Sequence, residues 1–504
     1  MKFQSILFKN SPKEFSSKEP AFFQDLHLHD IVGKVLVVSE QESSLFPYYY
    51  TIPDSIEDVS YRQEIYQDIS NIEIRQWIKS FCHRMDYVLK RRQLVTQTEE
   101  PLVQSAYFLE AALEYEKGIE EFVKASTGKL PVSIGLKNFY NYVSEQWNLL
   151  QKNGFYKTIQ ETGNMLSHLT YVVAIQPDKI EMEEENGATE NYLVELKQLL
   201  QLDEKYGTEI TGVFSDKVNP GVFEEKMLYV LNRIHPEIFQ ELLHFYEMYS
   251  TIFAEEIFRF SKEIQFYLSF QIFAEKTAEK GYVFSLPKIK EDGNFSGKDI
   301  YDAALLWRSR DAVIVNAFSY LPHPSFFVVT GPNQGGKTTF ARALGQAVYF
   351  SMMGLPVNGT AMELPYFSGL STHFEKEESL LSNAGKLKEE INRLKPMMQA
   401  KEKRQFIILN ELFTTATTSD AFSMGKRVME HFLVRDCYGI YVTHIQELAE
   451  ESEQIKSLVA QVEEGEEAKR TFRILPMSPQ GYGYSDSLVK EFKLHYEDII
   501  RRLS

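Results

Sequence analysis

The sequence predicts an α/β domain over residues 281–504, preceded by a mostly α-helical region, and three observations carry that reading. A glycine-rich stretch, Gly331-Pro332-Asn333-Gln334-Gly335-Gly336-Lys337-Thr338-Thr339, lies between a short apolar run, Phe326-Phe327-Val328-Val329, and an amphipathic segment from Phe340 to Phe350. Two further apolar runs each end in polar residues: Gln405-Phe406-Ile407-Ile408-Leu409 in Asn410-Glu411, and Gly439-Ile440-Tyr441-Val442 in Thr443-His444. Before residue 280, apolar residues recur at helical spacing instead.

Strand, glycine loop and helix in that order are the setting of a phosphate-binding loop. Glycines let successive backbone N–H groups turn toward one anion, and the following helix adds the positive end of its dipole. Lys337 then reaches the outer phosphates of a nucleotide, and the Thr338 hydroxyl sits on Mg²⁺. Gly331, Pro332, Asn333, Gly335, Gly336, Lys337, Thr338 and Thr339 are accordingly expected to hold ATP.

The two downstream runs have the composition of strands buried on both faces. Strands that deliver polar residues at their C-terminal ends are how an open α/β sheet builds a site. Asn410 and Glu411 stand where a P-loop ATPase places the groups that manage Mg²⁺ and the attacking water. Asn410 is therefore expected at the metal with Thr338, Glu411 as the group that polarises water, and His444 as a sensor of the γ-phosphate. Lysine loop, acidic strand end, then histidine strand end is the order of the ABC-type branch. The expected fold class is thus an α/β P-loop (ABC-type) ATPase domain at the C-terminus.

At this point residues 326–450 resemble the ATPase domain of the MutS DNA mismatch repair family. The Gly-Pro-Asn-x-Gly-Gly-Lys-Thr form of the loop is more specific than the general motif. Thr417-Thr418-Ser419-Asp420 resembles the family's Ser-Thr-x-Asp, which places Asp420 among the expected nucleotide-binding residues. Val442-Thr443-His444 with Glu447-Leu448 is similar to Ala-Thr-His…Glu-Leu. Gly481-Tyr482-Gly483-Tyr484-Ser485, the helix ending Ile499 to Leu503, and Ala278-Glu279-Lys280-Gly281-Tyr282 with Pro287 also look similar to the family. Two departures stand out. The family's Asp-Glu is Asn410-Glu411 here, and its Gly-Arg-Gly-Thr is Phe413-Thr414-Thr415-Ala416. A neutral amide still orients metal-bound water but adds no negative charge, so slow hydrolysis is expected.

ABC-type ATPases hydrolyse ATP between two subunits, with a helix N-terminus of one capping the γ-phosphate held by the other. Leu381-Ser382-Asn383-Ala384-Gly385-Lys386 resembles their Leu-Ser-Gly-Gly-Gln signature, so Ser382 joins the expected binding residues and a homodimer is implied. Read as structure alone, Ser382 is the N-cap of a helix running through Leu387, Ile391 and Leu394.

The chain has 504 residues, enough for several domains, with 43% hydrophobic and 13% aromatic content suited to large cores. Cys82 and Cys437 lie far apart and form neither a metal nor a disulfide pattern, which fits a reducing, cytoplasmic setting. No apolar run reaches the length of a membrane helix. The net charge of −17 argues against a broad electrostatic grip on nucleic acid but leaves room for a local patch or an enclosing clamp. Lys90-Arg91-Arg92 and Lys401-Glu402-Lys403-Arg404 are the densest basic spots and read as solvated helix ends. His27 and His29 alternate as metal ligands can, but they have no Cys or His cluster nearby.

Three domains are expected: a helical core at 1–130, a lever- or clamp-like helical region at 131–280, and the ATPase domain at 281–504. The middle region shows a β-hairpin signal over 168–186 and a pattern from Pro236 to Glu279 without internal Pro or Gly, read as one long lever helix. No room is seen for the family's mismatch-reading domain, and no Phe-x-Glu occurs in residues 1–30. The resemblance implies a dimeric, DNA-binding ATPase coupling nucleotide state to a helical lever or clamp, in DNA repair or recombination. The alternative is an ATP-binding switch with weak hydrolysis that acts through a protein partner.

Overall fold

The computed structural model describes residues 3–10, 14–125, 130–176, 179–184, 222–291, 294–319, 325–375, 383–462 and 470–479. The chain forms two compact units. One comprises residues 1–3, 71–132 and 136–262; the other comprises 4–70, 133–135 and 263–504. This partition differs from the expected boundaries at 130 and 280, because the first 70 residues pack largely with the C-terminal unit.

The C-terminal unit is built on a six-stranded sheet. Its strands are β1 (Phe326–Thr330), β2 (Gly369–His373), β3 (Gln405–Asn410), β4 (Tyr438–Val442), β5 (Ile455–Val462) and β6 (Arg470–Pro476). Their order is β2-β3-β4-β1-β5-β6, parallel throughout except for the antiparallel β5–β6 pair at one edge. The three continuous apolar runs of the sequence are β1, β3 and β4, and every residue in them is buried. The register pairs Asn410 with Val442 and Val442 with Val329, so the C-terminal ends of these strands finish level.

Helix α1 (Lys337–Met352) follows the glycine loop, and of its 16 residues only Thr338, Thr339 and Arg342 are not buried. An amphipathic helix has one wet face; this one is covered on both sides. Gly345 shows why. A Cβ there would meet Ile408 Cδ1 of the sheet at 2.5 Å and Leu26 Cδ2 of the N-terminal segment at 2.7 Å. The cover comes from residues 4–70. Gln346 donates to the Leu26 carbonyl at 3.0 Å, Tyr349 to the Tyr49 carbonyl at 2.5 Å, and Arg342 to the Asp25 carbonyl at 3.0 Å. Buried Arg62 joins the same layer, donating to the carbonyls of Leu7 and Met353. A second, four-stranded sheet (Lys288–Lys290, Ala361–Pro365, Ser296–Ile300, Asn316–Phe318) flanks the main one. Helices α2 (Asn383–Gln399) and α3 (Thr418–Leu433) complete the unit.

Among the described residues the other unit is helical apart from one hairpin. Its long helices Ile72–Gln97 and Pro101–Ala125 pair along their length. Phe81, Phe122 and Phe139 pack tilted or edge-on in its core with ring centroids 4.6–5.9 Å apart. The hairpin signal corresponds to strands Tyr171–Gln176 and Lys179–Glu184. The single lever helix expected over 236–279 is not present. That stretch is three helices, Pro236–Tyr249, Glu255–Glu263 and Gln265–Ala278. The first break has a visible cause. The Ala254 N–H donates to the Tyr115 hydroxyl at 3.1 Å, and Phe253 packs edge-on against Phe108 and Tyr115. Ser250-Thr251-Ile252 propagate a helix poorly, so this packing outweighs continuation.

The basic spots are also corrected in part. Lys90-Arg91-Arg92 lie inside a helix, where Arg91 is buried with Nε 3.0 Å from Glu110 and Arg92 pairs with Glu255 at 2.7 Å. Both cysteines are buried and unbridged. Among the described residues no helix is long and apolar enough to cross a membrane.

Candidate functional site

The level strand ends determine the site. β4 lies between β1 and β3, so the residue after β4 necessarily sits between the glycine loop after β1 and Asn410-Glu411 at the end of β3. Two backbone bonds lock these ends together: Glu411 N–H to the Val442 carbonyl at 2.9 Å, and Thr443 N–H to the Val329 carbonyl at 3.1 Å. His444 Nε2 is consequently 3.2 Å from Glu411 Oε1. That hydrogen bond, helped by the nearby Lys337 charge, holds the Glu411 carboxyl below the usual glutamate value against the opposing effect of its partial burial.

The glycine loop turns sharply, and the edge hairpin explains where it needs glycine. Gly331 has φ +124°, and a Cβ there would meet Ala460 Cβ at 2.9 Å and the Ala460 backbone at 3.0 Å. Gly336 has φ +89°, with Phe472 of β6 lying 3.4 Å from the position of a Cβ. A side chain is excluded at the first position by strain and by space together. β6 also reaches the loop through Arg470, which donates to Gln334 Oε1 at 2.5 Å.

Lys337 is buried in the first turn of α1, and its Nζ donates to the Gly331 carbonyl at 2.9 Å and the Pro332 carbonyl at 3.1 Å. Burial lowers its pKa, and the Glu411 carboxylate works in the opposite direction. Next to it, Thr338 Oγ1 donates to Asn410 Oδ1 at 3.0 Å. A cavity of about 410 Å³ opens over these groups. Asn333, Gly335, Gly336, Lys337, Thr338, Thr339 and Glu411 line its polar side, while Ile300, Val313, Ile314 and Phe472 give an apolar side. Asp302 contributes at the rim. It caps the helix Ala303–Arg308 through Leu305 N–H at 3.1 Å and is held by Gln346 at 2.8 Å, with burial pushing its pKa up.

Five of the expected residues, Lys337, Thr338, Asn410, Glu411 and His444, thus converge on one edge of three adjacent strands. Asp420 does not join them. It sits at the start of α3, where its N–H donates to the Thr417 hydroxyl at 3.2 Å and its carboxylate accepts from the same hydroxyl at 2.7 Å. This is the reciprocal bonding of a helix N-terminus. Ser382, the Gly481–Ser485 segment and the helix ending at Leu503 lie outside the described residues. Sequence reasoning missed Ala460, Phe472, Arg470 and Asp302. Nothing local marks Ala460, Arg470 and Phe472, because each acts on the loop from a strand distant in the chain, whereas Asp302 carries only the ordinary signal of a helix N-cap.

Residues 327–481 match the family model for MutS domain V. Three relatives show the extent of the similarity. The DNA mismatch repair protein msh-3 of Neurospora crassa is 30% identical over 145 residues, which is 28% of this chain and 12% of that protein. The DNA mismatch repair protein MutS of Streptococcus pyogenes is 28% identical over 149 residues, 29% of this chain and 17% of that protein. The DNA mismatch repair protein MSH2 of Saccharomyces cerevisiae is 25% identical over 182 residues, 33% of this chain and 19% of that protein. The matched part of the chain spans less than a fifth of each of these relatives.

Proposed function

We infer, from the premise that this chain is a divergent member of the MutS family, that it is a slow ATP hydrolase working as a homodimer on DNA. The observation that carries the reading is the convergence at the ends of β1, β3 and β4 of Lys337, Thr338 and Glu411, which line one cavity, with Asn410 and His444, which hydrogen-bond to Thr338 and Glu411. Lys337 exchanges the carbonyls of Gly331 and Pro332 for the β- and γ-phosphate oxygens of ATP. The N–H groups of the glycine loop and the start of α1 take the same phosphates. The apolar side of the cavity receives the nucleoside. Glu411, ionised at neutral pH with His444 bonded to it, accepts the proton of the attacking water. His444 keeps that carboxylate aimed and lies where a γ-phosphate is sensed.

Mg²⁺ suits the donors present. Thr338 Oγ1 and Asn410 Oδ1 are hard oxygen ligands 3.0 Å apart, adjacent to the phosphate loop, as expected for an ion that keeps several waters. When bound it neutralises the charge that develops on the phosphates. The Thr338 hydroxyl then turns its proton away from Asn410 and offers a lone pair instead.

Asn410 supplies the acceptor oxygen but no charge. At an effective dielectric near 20, a missing carboxylate beside a divalent ion is worth a few kcal/mol before compensation. If roughly 1–3 kcal/mol of this remains in the barrier, turnover is slower by about tenfold to a hundredfold. Asn410→Asp is therefore expected to raise ATP turnover or to lower the Mg²⁺ concentration it requires. Steady-state rates across a Mg²⁺ titration check this; identical curves for both proteins would make the amide a neutral replacement.

DNA as the effector rests on the relatives' role in mismatch repair. ATP turnover measured with and without matched, mismatched and branched duplex tests it, and stimulation by one of them that fades with salt is the expected result. Rates unmoved by all of them favour the second reading, an ATP-dependent switch for a protein partner. The net charge of −17 and the neutral Asn410 are the observations on that side.

A further inference from the structure

The turn that carries Glu411 has an unusual backbone. Glu411 has φ +53° and Phe413 has φ +62°. The left-handed region is unfavourable for a residue with a side chain, so it persists only where surroundings over-determine it. Two surroundings do so here. The Phe413 ring is buried with Leu394, Ile407, Leu409 and Leu412. Its N–H donates to the Glu390 carboxylate, Oε1, at 2.8 Å.

Glu390 comes from α2, an element that supplies none of the residues lining the cavity. Its carboxylate is half-buried, and Arg393, one turn further on, is its electrostatic counterweight while donating to the Phe374 carbonyl at 3.0 Å. A second carboxylate clasps the same turn: Glu375 accepts from the Thr414 hydroxyl at 3.0 Å.

We propose that Glu390 is a positioning residue for ATP hydrolysis, holding the Phe413 N–H so that the left-handed turn aims the Glu411 carboxylate at the attacking water. The inference rests on the ATPase reading above. It requires an acceptor oxygen at this reach and not a negative charge as such. Without that acceptor, the Phe413 peptide is free to rotate toward a relaxed conformation, and Glu411, two residues earlier, turns with it. The glycine loop and Lys337 make no contact with Glu390, so nucleotide binding should not follow.

The test is a set of three variants, Glu390→Ala, Glu390→Asp and Glu390→Gln, measured for kcat and for ATP affinity. Glutamine keeps an oxygen at full length, whereas aspartate keeps the charge but is one methylene short. Loss of a hydrogen bond to a charged group predicts kcat about tenfold lower for Ala and Asp, with Gln within about twofold of the parent. ATP affinity should stay unchanged in all three. Parent-like kcat in Glu390→Ala, or full activity in Asp with loss in Gln, overturns the proposal. So does a weakened ATP affinity at unchanged kcat. Should Glu390→Ala fail to fold, the order of Gln and Asp decides alone. A parent protein that neither binds nor turns over ATP removes the ATPase reading and this inference together. Turnover in the parent with indifference at 390 removes this inference only.

Discussion

Lys337→Ala should abolish tight ATP binding. Among the described residues the ammonium is the only side-chain cation lining the cavity, and it stands at the start of α1 against the loop that would carry the phosphates. Truncating one partner of a desolvated charge pair costs roughly 2–5 kcal/mol, or at least about a thirtyfold loss of affinity. The side chain also closes the loop on itself through the Gly331 and Pro332 carbonyls, so part of any loss could come from loop distortion. Lys337→Met keeps the apolar stem and serves as the control. If both variants bind ATP weakly while their melting temperatures match the parent, the lost charge is responsible. Affinity within about threefold of the parent in both would remove the phosphate-binding assignment, since no other side-chain cation among the described residues lines the cavity.

Glu411→Gln should stop turnover and leave ATP bound. An amide accepts no proton from water, and removal of a general base costs about 10²- to 10⁴-fold in rate. The neighbours that bind the phosphates are untouched, so affinity should hold. The pH dependence follows from the direction of the shift. The His444 bond depresses the Glu411 pKa, so the carboxylate survives to lower pH than a free one. Turnover of the parent should therefore fall only on acidification below the ordinary glutamate range. The variant also traps the ATP state. If each γ-phosphate is closed in by a second copy of the chain, sedimentation with ATP should show dimers and with ADP monomers. Monomers at micromolar concentration under both conditions would leave a stand-alone nucleotide switch.

Strands β1, β3 and β4 and the polar residues at their ends were legible in the sequence, and the reason is local; β2, β5 and β6 were not. Runs such as Phe326 to Val329 and Gln405 to Leu409 have no polar face, so only a strand buried on both sides suits them. Gly331, with φ +124°, occupies a backbone conformation that glycine adopts readily, so the loop is legible from its residue types. Capping chemistry was equally local, but its meaning was not. Thr417 and Asp420 satisfy one another at the start of α3, so the motif is filled by its own helix and Asp420 lies apart from the cavity lining.

The lever illustrates the limit of periodic patterns. Residues 236–279 have the spacing of one helix, and the chain breaks it because Tyr115 captures the Ala254 N–H from a helix more than a hundred residues away in sequence. Likewise, Leu26 packs against Gly345 and residues 4–70 belong to the C-terminal unit, although their own composition gives no hint of it.

The sequence by itself determined that β1, β3 and β4 become buried strands, where the glycine loop lies and which chemical groups end those three strands, because period and residue type are properties of neighbouring positions. Only the tertiary structure decided that His444 bonds Glu411, that Ala460 and Phe472 close over the glycines, that residues 4–70 cover α1, and that Glu390 holds the turn after Glu411. Those contacts join segments remote in the chain. They depend on which buried surfaces fit together, and a pattern along one segment carries no record of its partner.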